Sequence, residues 1–249
     1  MTFEFTSMHL SVIIPSYNGE KRLEATLPAV FDYLSRQSYE WEVIIVSDGS
    51  KDKTAEVAQA FAAAHAGFSV IARAENRGKG YTVREGMLKA RGDFRLFTDD
   101  DNSTTIEQIE KFWPYFGQDY DIVIGSIEVA GAKIFEQAQW YRRIMGHYSK
   151  LIIRVVAGLW GIHDTQRGFK CFTAKSTQDI FSRARINRFA FDIEVLTLAK
   201  KFSYKVKEVP VVWNNPAETK VHLSSYFQVL KDLFKIRFWL WFNSYNIKH

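Results

Sequence analysis

The stretch Phe94–Ser103 reads FRLFTDDDNS, an apolar run that stops at three consecutive aspartates. Large apolar side chains at Phe94, Leu96 and Phe97 predict a β-strand over the first half of this stretch. Three adjacent carboxylates repel one another, so this ending is costly unless a cation binds there. The stretch therefore predicts a strand that ends in a cluster of negative charge.

The three aspartates are expected to divide between the two sides of the strand. Side chains alternate along a strand, so Asp99 and Asp101 project one way and Asp100 the other. Asp99 and Asp101 form an Asp-x-Asp pair at the carboxyl end of a strand, where open α/β sheets bind ligands. Mg²⁺ and Mn²⁺ prefer such oxygen ligands, so the pair is a candidate metal site. The alternative is a solvated acidic turn in which Asp101, Asn102 or Ser103 caps the following helix.

Composition limits the class of protein. The chain has 249 residues, which is enough for one α/β domain with a large core. Its hydrophobic content of 47% and charged content of 24% are ordinary for a folded protein. The net charge of +5 suits an anionic ligand or membrane surface, and no nucleic-acid partner is predicted from it. Cys171 is the single cysteine, which excludes an intrachain disulfide and favours a reducing compartment.

The amino terminus and the hydropathy of the chain bear on its location. Residues 1–7 lack a basic region followed by an apolar region, so no signal peptide is predicted. No window of roughly 18 residues is free of charge, so no transmembrane helix is predicted either. The expected location is the cytoplasm, with peripheral attachment to the cytoplasmic face of a membrane.

Strands and helices are predicted to alternate along the first half of the chain. Apolar, β-branched runs indicate buried strands, and spaced apolar residues between them indicate helices. This alternation predicts an α/β fold with a doubly wound, mostly parallel sheet between helices. Polar loops follow the strands and are expected along one edge of the sheet. These loops are residues 17–20, 48–53, 76–80 and 99–101.

The second half of the chain is less regular. Its predicted elements are helices over 105–116, 136–158, 191–201 and 222–242, and strands over 122–126 and 205–213. Two of these helices, 136–158 and 222–242, mix aromatic residues with lysine and arginine. Such helices lie at membrane interfaces, which makes peripheral membrane contact an expectation. The alternative is that they pack on each other or on a second protomer, and a homo-oligomer stays open.

The loop Asn76–Gly80, NRGKG, combines glycines with cations. Backbone N–H groups of such a loop can approach a phosphate closely, with Arg77, Lys79 and Arg84 beside it. The loop lacks the ending of a Walker A motif, and residues 15–18 are not the glycines of a dinucleotide fingerprint. A nucleotide diphosphate bridged by a metal to the aspartates fits these loops better.

Seven segments, taken in order, resemble the family-two GT-A glycosyltransferases, particularly the dolichyl- and polyprenyl-phosphate glucose and mannose synthases. They span most of the chain up to residue 213, and together they are far more specific than any one of them. The segments are SVIIPSYNGE ending at residue 20, VSDGSKDKT at 46–54, NRGKGYTVREG at 76–86, FTDDDNST at 97–104, DTQRGFKCF at 164–172, RFAFDIE at 188–194 and EVPVVW at 208–213.

The resemblance implies a role for individual residues. The expected nucleotide-sugar-binding residues are Pro15, Tyr17, Glu20, Asp48, Lys79, Arg84, Asp99 and Asp100. The expected metal ligands are Asp99 and Asp101, with Asp101 favoured as the direct ligand. The residues expected at the acceptor phosphate are Gln166, Arg167 and Lys170, to which the chemistry of phosphate recognition adds Arg188 and Lys220. The expected catalytic residues are Asp99, Asp101, Asp192 and Arg167.

Three positions depart from the pattern of the family. Gly19 stands where relatives often have a second acidic residue, and Arg167 replaces a commoner small residue. Ser103 stands where some mannose synthases supply a glutamine ligand, which weakens any expectation of a third protein ligand to the metal.

The predicted function is inverting transfer of a hexose, with glucose preferred over mannose, from a nucleotide diphosphate sugar to a polyprenyl or dolichyl phosphate. The expected cofactor is Mg²⁺ or Mn²⁺. A lipid phosphate is already anionic and needs no strong base. The first alternative is transfer to a sugar hydroxyl, which needs a base such as Asp164 or Asp192. The second is a noncatalytic nucleotide-sugar-binding protein.

The whole chain, residues 1–249, is predicted to form a single GT-A catalytic domain. Residues 9–104 are expected to make the nucleotide-sugar-binding half and residues 105–221 the acceptor-binding half. Residues 222–249 are expected to form an amphipathic carboxyl-terminal helix.

Overall fold

A computed structural model describes residues 9–134, 152–214 and 223–247. Its main sheet has seven strands in the order β3-β2-β1-β4-β7-β5-β8, and β6 and β9 form a separate pair. The strands are β1 (His9–Ser16), β2 (Glu40–Asp48), β3 (Phe68–Arg73), β4 (Phe94–Thr98), β5 (Ile122–Ser126), β6 (Lys133–Ile134), β7 (Phe169–Thr173), β8 (Val206–Pro210) and β9 (Val212–Trp213).

Helices cover both faces of the sheet. Residues 152–157 are also helical, and a 3₁₀ helix covers Ile106–Lys111. The labelled α-helices are α1 (Glu20–Leu34), α2 (Thr54–Ala64), α3 (Lys79–Lys89), α4 (Trp113–Phe116), α5 (Ala174–Phe181), α6 (Phe191–Lys201) and α7 (Leu223–Trp241).

The sheet is mostly parallel, as the alternation of strands and helices predicts. Strands β1, β2, β3 and β4 are mutually parallel, and β5 is parallel to β8. Strand β7 is the exception, since it runs antiparallel to both β4 and β5. It brings the segment after residue 164 back beside the aspartates, because Phe169 pairs with Thr98 at the end of β4.

Alternation along each strand divides the core between the two faces of the sheet. On β1, Val12 and Ile14 belong to one apolar cluster and Ile13 to the other. On β4, Leu96 and Phe97 divide in the same way. Helices α1 and α2 cover the first cluster, and α3, α5, α6 and α7 cover the second. A sheet buried on both faces explains why its strands read as continuous apolar runs.

The predicted helix over 105–116 is wrong as a single element. The chain forms the 3₁₀ helix and then the short α4, which has Pro114 in its first turn. Proline lacks a backbone N–H, and its ring clashes with the carbonyl four residues earlier, so a helix cannot run through this position undisturbed. The predicted strand over 205–213 is likewise divided at Val211 into β8 and β9.

The two amphipathic helices predicted from the sequence have different outcomes. The predicted helix over 222–242 is confirmed by α7. Most of the predicted helix over 136–158 lies outside the described residues, apart from the helical residues 152–157. Within the described ranges, no helix combines the length and the apolar character that crossing a membrane requires.

Replacing Phe172 tests the core. Phe172 is fully buried on β7 and packs against Phe97 and Phe181. We expect Phe172→Ala to lower the free energy of unfolding by about 3–5 kcal/mol, because it removes buried apolar area and leaves a cavity. The matched control is Phe238→Ala on α7, whose side chain is 53% exposed. Urea denaturation of both variants measures the difference, and equal losses would contradict this description of the core.

Candidate active site

The loops after β1 and β2 are joined by hydrogen bonds between side chains and backbone. Asn18 accepts a bond from the backbone N–H of Lys51 through Oδ1, at 2.8 Å. The backbone N–H of Gly19 donates to Oγ1 of Thr54, also at 2.8 Å. Glu20 accepts a bond from the backbone N–H of Lys53. These bonds fix the two loops as one rim, as expected for neighbouring parallel strands.

The three aspartates after β4 have different partners. Asp99 forms an ion pair with Lys79, whose Nζ lies 2.5 Å from Oδ1. Asp100 turns away and forms two bonds with the guanidinium of Arg22, at 2.8 and 2.9 Å. It also accepts a bond from the hydroxyl of Ser16. The expected alternation of the aspartates is consistent with this geometry, and protein cations compensate two of the three charges.

Asp101 differs from its neighbours. Its Oδ1 accepts a bond from the backbone N–H of Ser103 at 2.9 Å, and among the described residues it forms no ion pair. Burial raises the pKa of Asp101, and the charge of Asp99 raises it further. A carboxylate with a raised pKa and no cationic partner is stabilised by a metal cation more than its neighbours are.

The donor set fits Mg²⁺ or Mn²⁺ with most of the coordination shell supplied from elsewhere. Asp99 and Asp101 are hard carboxylate ligands, and the described hydrogen bonds to them come from Lys79 and Ser103. Within the described residues no cluster of three or more histidine, cysteine, aspartate or glutamate side chains could hold a metal. Two carboxylates fill only part of the coordination shell of such a cation, which would take its other oxygen ligands from outside the described residues.

Asp48 anchors the glycine loop of residues 76–80. It is 3% exposed, and its carboxylate accepts bonds from the backbone N–H groups of Arg77 and Gly78, both at 2.8 Å. Arg73, at the end of β3, completes this arrangement with a bond of 2.6 Å to Asp48. Most of the acceptor capacity of Asp48 is thus used by the protein, and its predicted contact with a nucleotide sugar stays a prediction.

Lys79 and Arg84, the cations beside the glycine loop, contact different parts of the structure. Lys79 faces the aspartates, where burial alone would lower the pKa of its ammonium but the carboxylates of Asp99 and Asp192 raise it above its usual range. Arg84 instead binds the carbonyl of Ala184 and the side chain of Asn187. The structure thus places Lys79 beside Asp99 and directs Arg84 toward a neighbouring loop, and the contact of either residue with a diphosphate stays a prediction.

Gly168 lies directly against Asp99. Its carbonyl accepts a bond from the backbone N–H of Asp99 at 3.1 Å. A β-carbon at position 168 would lie 2.2 Å from Oδ2 of Asp99. No other residue type fits there without displacing the carboxylate, which explains the glycine in the segment DTQRGFKCF.

A buried ion pair lies beneath this segment. Lys170 is fully buried, and its ammonium lies 2.5 Å from Oδ1 of Asp192 and donates to the carbonyl of Arg167. Burial raises the pKa of Asp192, while Lys170 and Lys79 lower it. The predicted contact of Lys170 with an acceptor phosphate is not available in this arrangement. Lys170 instead fixes the backbone of Arg167 and compensates the charge of Asp192.

Two further cations expected at the acceptor are the half-buried Arg167 and the exposed Arg188. The guanidinium of Arg167 lies 4.4 Å from the ring centre of Trp213 and 3.5 Å from the carboxylate of Asp164. Arg188 is exposed, and its side chain passes close to Gly78 of the glycine loop. Gln166 is exposed beside Arg167. These residues therefore lie close to the segments that carry the aspartates and the glycine loop.

The remaining predicted residues divide as follows. Pro15 is buried in β1, whereas Tyr17 is 40% exposed at the rim and Glu20 begins α1. Lys220 lies outside the described residues. The donor roles predicted for Pro15, Tyr17, Glu20 and Asp100 stay predictions.

Two residues of the site are not among those singled out from the sequence. They are Arg22, which neutralises Asp100, and Arg73, which holds Asp48. Arg73 directly follows the apolar run that predicts strand β3, so its place at the common edge of the sheet was a usable signal. Arg22 lies on a helix far from Asp100 in sequence, and no local pattern identifies that pair.

The family of the chain follows from comparison with known proteins. The model of the family described as Glycosyl transferase family 2 matches residues 11–181, and the chain belongs to this family. It is 36% identical to the dolichyl-phosphate beta-glucosyltransferase of Drosophila melanogaster, over 92% of this chain and 74% of the relative. It is 33% identical to the human dolichyl-phosphate beta-glucosyltransferase, with the same coverage of both chains. The protein is a glycosyltransferase, as its sequence predicts.

Solved structures confirm the GT-A fold. Mannosyl-3-phosphoglycerate synthase from Rubrobacter xylanophilus has a TM-score of 0.70 at 15% identity, covering 97% of this chain and 76% of the other. Glucosyl-3-phosphoglycerate synthase from Mycobacterium tuberculosis, in complex with Mn²⁺, UDP and phosphoglyceric acid, has a TM-score of 0.66 at 17% identity. That match covers 92% of this chain and 78% of the other.

Gly168→Ala tests the contact between position 168 and Asp99. We expect the added methyl group to displace the carboxylate of Asp99 and to lower the transfer rate at least about tenfold, because small displacements in a catalytic site are costly. The matched control is Gly161→Ala, where an added β-carbon meets no atom within 4 Å. Sugar-nucleotide turnover and thermal unfolding are measured for both variants. Equal turnover in the two folded variants would refute this role of Gly168.

Proposed function

We propose that this glycosyltransferase moves glucose from UDP-glucose to a dolichyl or polyprenyl phosphate, with inversion at the anomeric carbon. The relatives from Drosophila melanogaster and human, both dolichyl-phosphate beta-glucosyltransferases, support the sugar and the acceptor class. The arrangement of charges on the acceptor side supports the proposal independently.

The observation that carries the proposal is the state of the two carboxylates that could serve as a base. Asp192 is 3% exposed and paired with Lys170. Asp164 is 7% exposed, accepts a bond from the backbone N–H of Ile127 and lies beside Arg167. Neither carboxylate is free to take a proton from a sugar hydroxyl. An acceptor phosphate carries its negative charge already and needs no such base.

The cations of this side suit a phosphate acceptor. Arg167 is held from two directions, by the ring of Trp213 and by the bond from Lys170 to its backbone carbonyl. A guanidinium fixed in this way can bind phosphate oxygens in a planar, bidentate manner. Arg188 supplies a second cation, which is exposed beside the glycine loop. The two arginines orient the phosphate and lower its repulsion from the donor diphosphate.

On the donor side, Asp101 and Asp99 would hold the divalent cation. When bound, the cation neutralises charge that develops on the leaving diphosphate. Lys79 stands beside Asp99 and can contact the same diphosphate oxygens. Asp48, held by Arg73, binds the backbone N–H groups of Arg77 and Gly78 and so keeps the glycine loop beside Lys79.

The transfer is a direct displacement at the anomeric carbon. An oxygen of the acceptor phosphate forms a bond to that carbon as the bond from the carbon to the diphosphate oxygen breaks. The leaving UDP keeps the electron pair of the broken bond. Attack opposite to the leaving group inverts the configuration of the carbon.

The test compares donors and acceptors directly. UDP-glucose, GDP-mannose and UDP-N-acetylglucosamine are titrated by calorimetry with and without Mn²⁺, and transfer is then measured to a short polyprenyl phosphate. We expect Mn²⁺-dependent binding of UDP-glucose and transfer that is lost at least about a hundredfold in Asp101→Asn, because a charged metal ligand becomes neutral.

Asp119→Asn is the control for this variant, since Asp119 is an exposed loop aspartate in a conformation that asparagine also adopts. Transfer to a free sugar hydroxyl but not to the lipid phosphate would refute the proposed acceptor. Preference for GDP-mannose would refute the proposed donor.

We further propose that α7 contacts an anionic membrane surface, where a lipid acceptor would reside. Five large apolar side chains on this helix and just after it are each at least 53% exposed. The single acidic residue of the helix, Asp232, is buried and paired with Lys235. An exposed aromatic stripe flanked by basic residues suits the headgroup region of a bilayer. The exposed residues are Phe227, Phe234, Phe238, Trp241 and Phe242.

Co-sedimentation with vesicles tests this surface. We expect the protein to bind vesicles that contain phosphatidylserine, and Trp241→Ser to weaken this binding about tenfold because an interfacial aromatic anchor is lost. Trp160→Ser is the matched control, since Trp160 is 62% exposed but lies outside α7. Equal loss in both variants, or dimer formation through α7 in place of vesicle binding, would contradict the proposed membrane contact.

A further inference from the structure

The loop of residues 182–190, between α5 and α6, lies against the glycine loop and the start of α3. The carbonyl of Asn187 accepts a bond from the backbone N–H of Tyr81 at 3.1 Å. Arg84 adds two bonds, to the carbonyl of Ala184 at 2.8 Å and to Oδ1 of Asn187 at 2.9 Å. We call this segment the α5–α6 loop, and it carries the exposed residues Arg188 and Phe189.

Two glycines bring the backbones of the two loops together. A β-carbon at Gly78 would lie 2.5 Å from the carbonyl oxygen of Asn187, and one at Gly80 would lie 2.5 Å from that of Ile186. Because these close contacts are with backbone oxygens, rotation of a side chain cannot relieve them. The position of the glycine loop is therefore set partly by the position of the α5–α6 loop.

A single buried carboxylate holds the α5–α6 loop from the other side. Glu194 on α6 is fully buried and accepts bonds from the backbone N–H groups of Arg185, at 2.9 Å, and Ile186, at 2.8 Å. Its third donor is the hydroxyl of Tyr245, at 2.8 Å, from the segment after α7. Burial raises the pKa of Glu194, and these three donors oppose that rise.

The segment after α7 adds further contacts with the same loop. Tyr245 is 2% exposed, and Trp239 and Tyr245 both lie under the guanidinium of Arg185. Arg185 also donates to the carbonyl of Ser244. The carboxyl-terminal segment thus contacts the loop that touches the glycine loop, although it lies far from both in sequence.

We propose that Glu194 and Tyr245 are positioning residues of the transfer reaction, which hold the α5–α6 loop, and with it Arg188, against the glycine loop. The kinetic part of this inference rests on the proposed acceptor role of Arg188. The structural part, that Tyr245 immobilises the loop, stands without it. Neither residue touches substrate, since both are buried behind the loop.

Removing the hydroxyl of Tyr245 is the sharpest perturbation. Tyr245→Phe keeps the ring that packs under Arg185 and removes one of the three donors to Glu194. Glu194→Gln acts in the same direction, because an amide nitrogen cannot accept a bond from a backbone N–H. Tyr204→Phe is the matched control, since the hydroxyl of Tyr204 also binds a carboxylate, that of Asp179, which is outside the loop.

The first measurement reports on the loop alone and needs no activity. Cys171 is buried, and burial raises the pKa of its thiol, so it does not react with a spin label. Phe189→Cys, at a position 45% exposed in the wild type, therefore gives one labelled site on the loop. We expect the nitroxide to be more mobile in the Tyr245→Phe background and unchanged in the Tyr204→Phe background. An unchanged spectrum in the Tyr245→Phe background would overturn the inference.

The second measurement is a double-mutant cycle on transfer to the lipid phosphate. We expect Tyr245→Phe to lower kcat/KM for the acceptor about tenfold, the scale of a lost hydrogen bond to a buried charge, with thermal unfolding close to that of Tyr204→Phe. In an Arg188→Ala background the same change should have little further effect, because the residue it positions is gone. Effects that multiply would overturn positioning through Arg188.

The two measurements separate failure of this inference from failure of the proposed function. Absence of any transfer to a lipid phosphate in the wild type would refute the proposed acceptor and with it the kinetic part of the inference. The spin-label result would still decide whether Tyr245 holds the loop.

Discussion

Three adjacent negative charges at the end of β4 constrain the surrounding structure. Two of the charges are compensated from different directions, Asp99 by Lys79 and Asp100 by Arg22, whereas Asp101 pairs with no described cation. Lys79 opens α3 and Arg22 lies on α1, so one helix from each face of the sheet is tied to the end of β4. Asp101, which has no cationic partner among the described residues, is the carboxylate that a metal ion would stabilise most.

Backbone contacts hold the rest of the site around these charges. Asp48 fixes the glycine loop through N–H groups, Gly168 leaves room for the carboxylate of Asp99, and Lys170 holds the carbonyl of Arg167. Asp48 and Lys170, both expected from the sequence to bind ligands, thus support neighbouring loops. Buried charged groups with complete hydrogen bonding commonly have this role, because leaving any of them unpaired is costly.

Buried hydrogen bonds also connect the α5–α6 loop with the segment after α7. Glu194 lies in a segment that the family resemblance associates with the site, yet it contacts two backbone groups of a loop and one tyrosine from beyond α7. The helix that presents exposed aromatic side chains is thus continuous with a segment that contacts the site. This arrangement brings the surface proposed to contact a membrane and the loop that carries Arg188 into one packed unit.

Strand periodicity and turn residues are local signals. They suffice to predict a mostly parallel sheet between helices, the order of the polar loops and the aspartate cluster at the end of a strand. The sequence also predicted α7, and it failed for residues 105–116, where Pro114 interrupts the helical pattern. The pairing of the buried Lys170 with Asp192, and the bond from Arg84 to the carbonyl of Ala184, are known only from the tertiary structure. Which charge meets which partner depends on contacts between residues that are distant in the chain, and no local pattern encodes them.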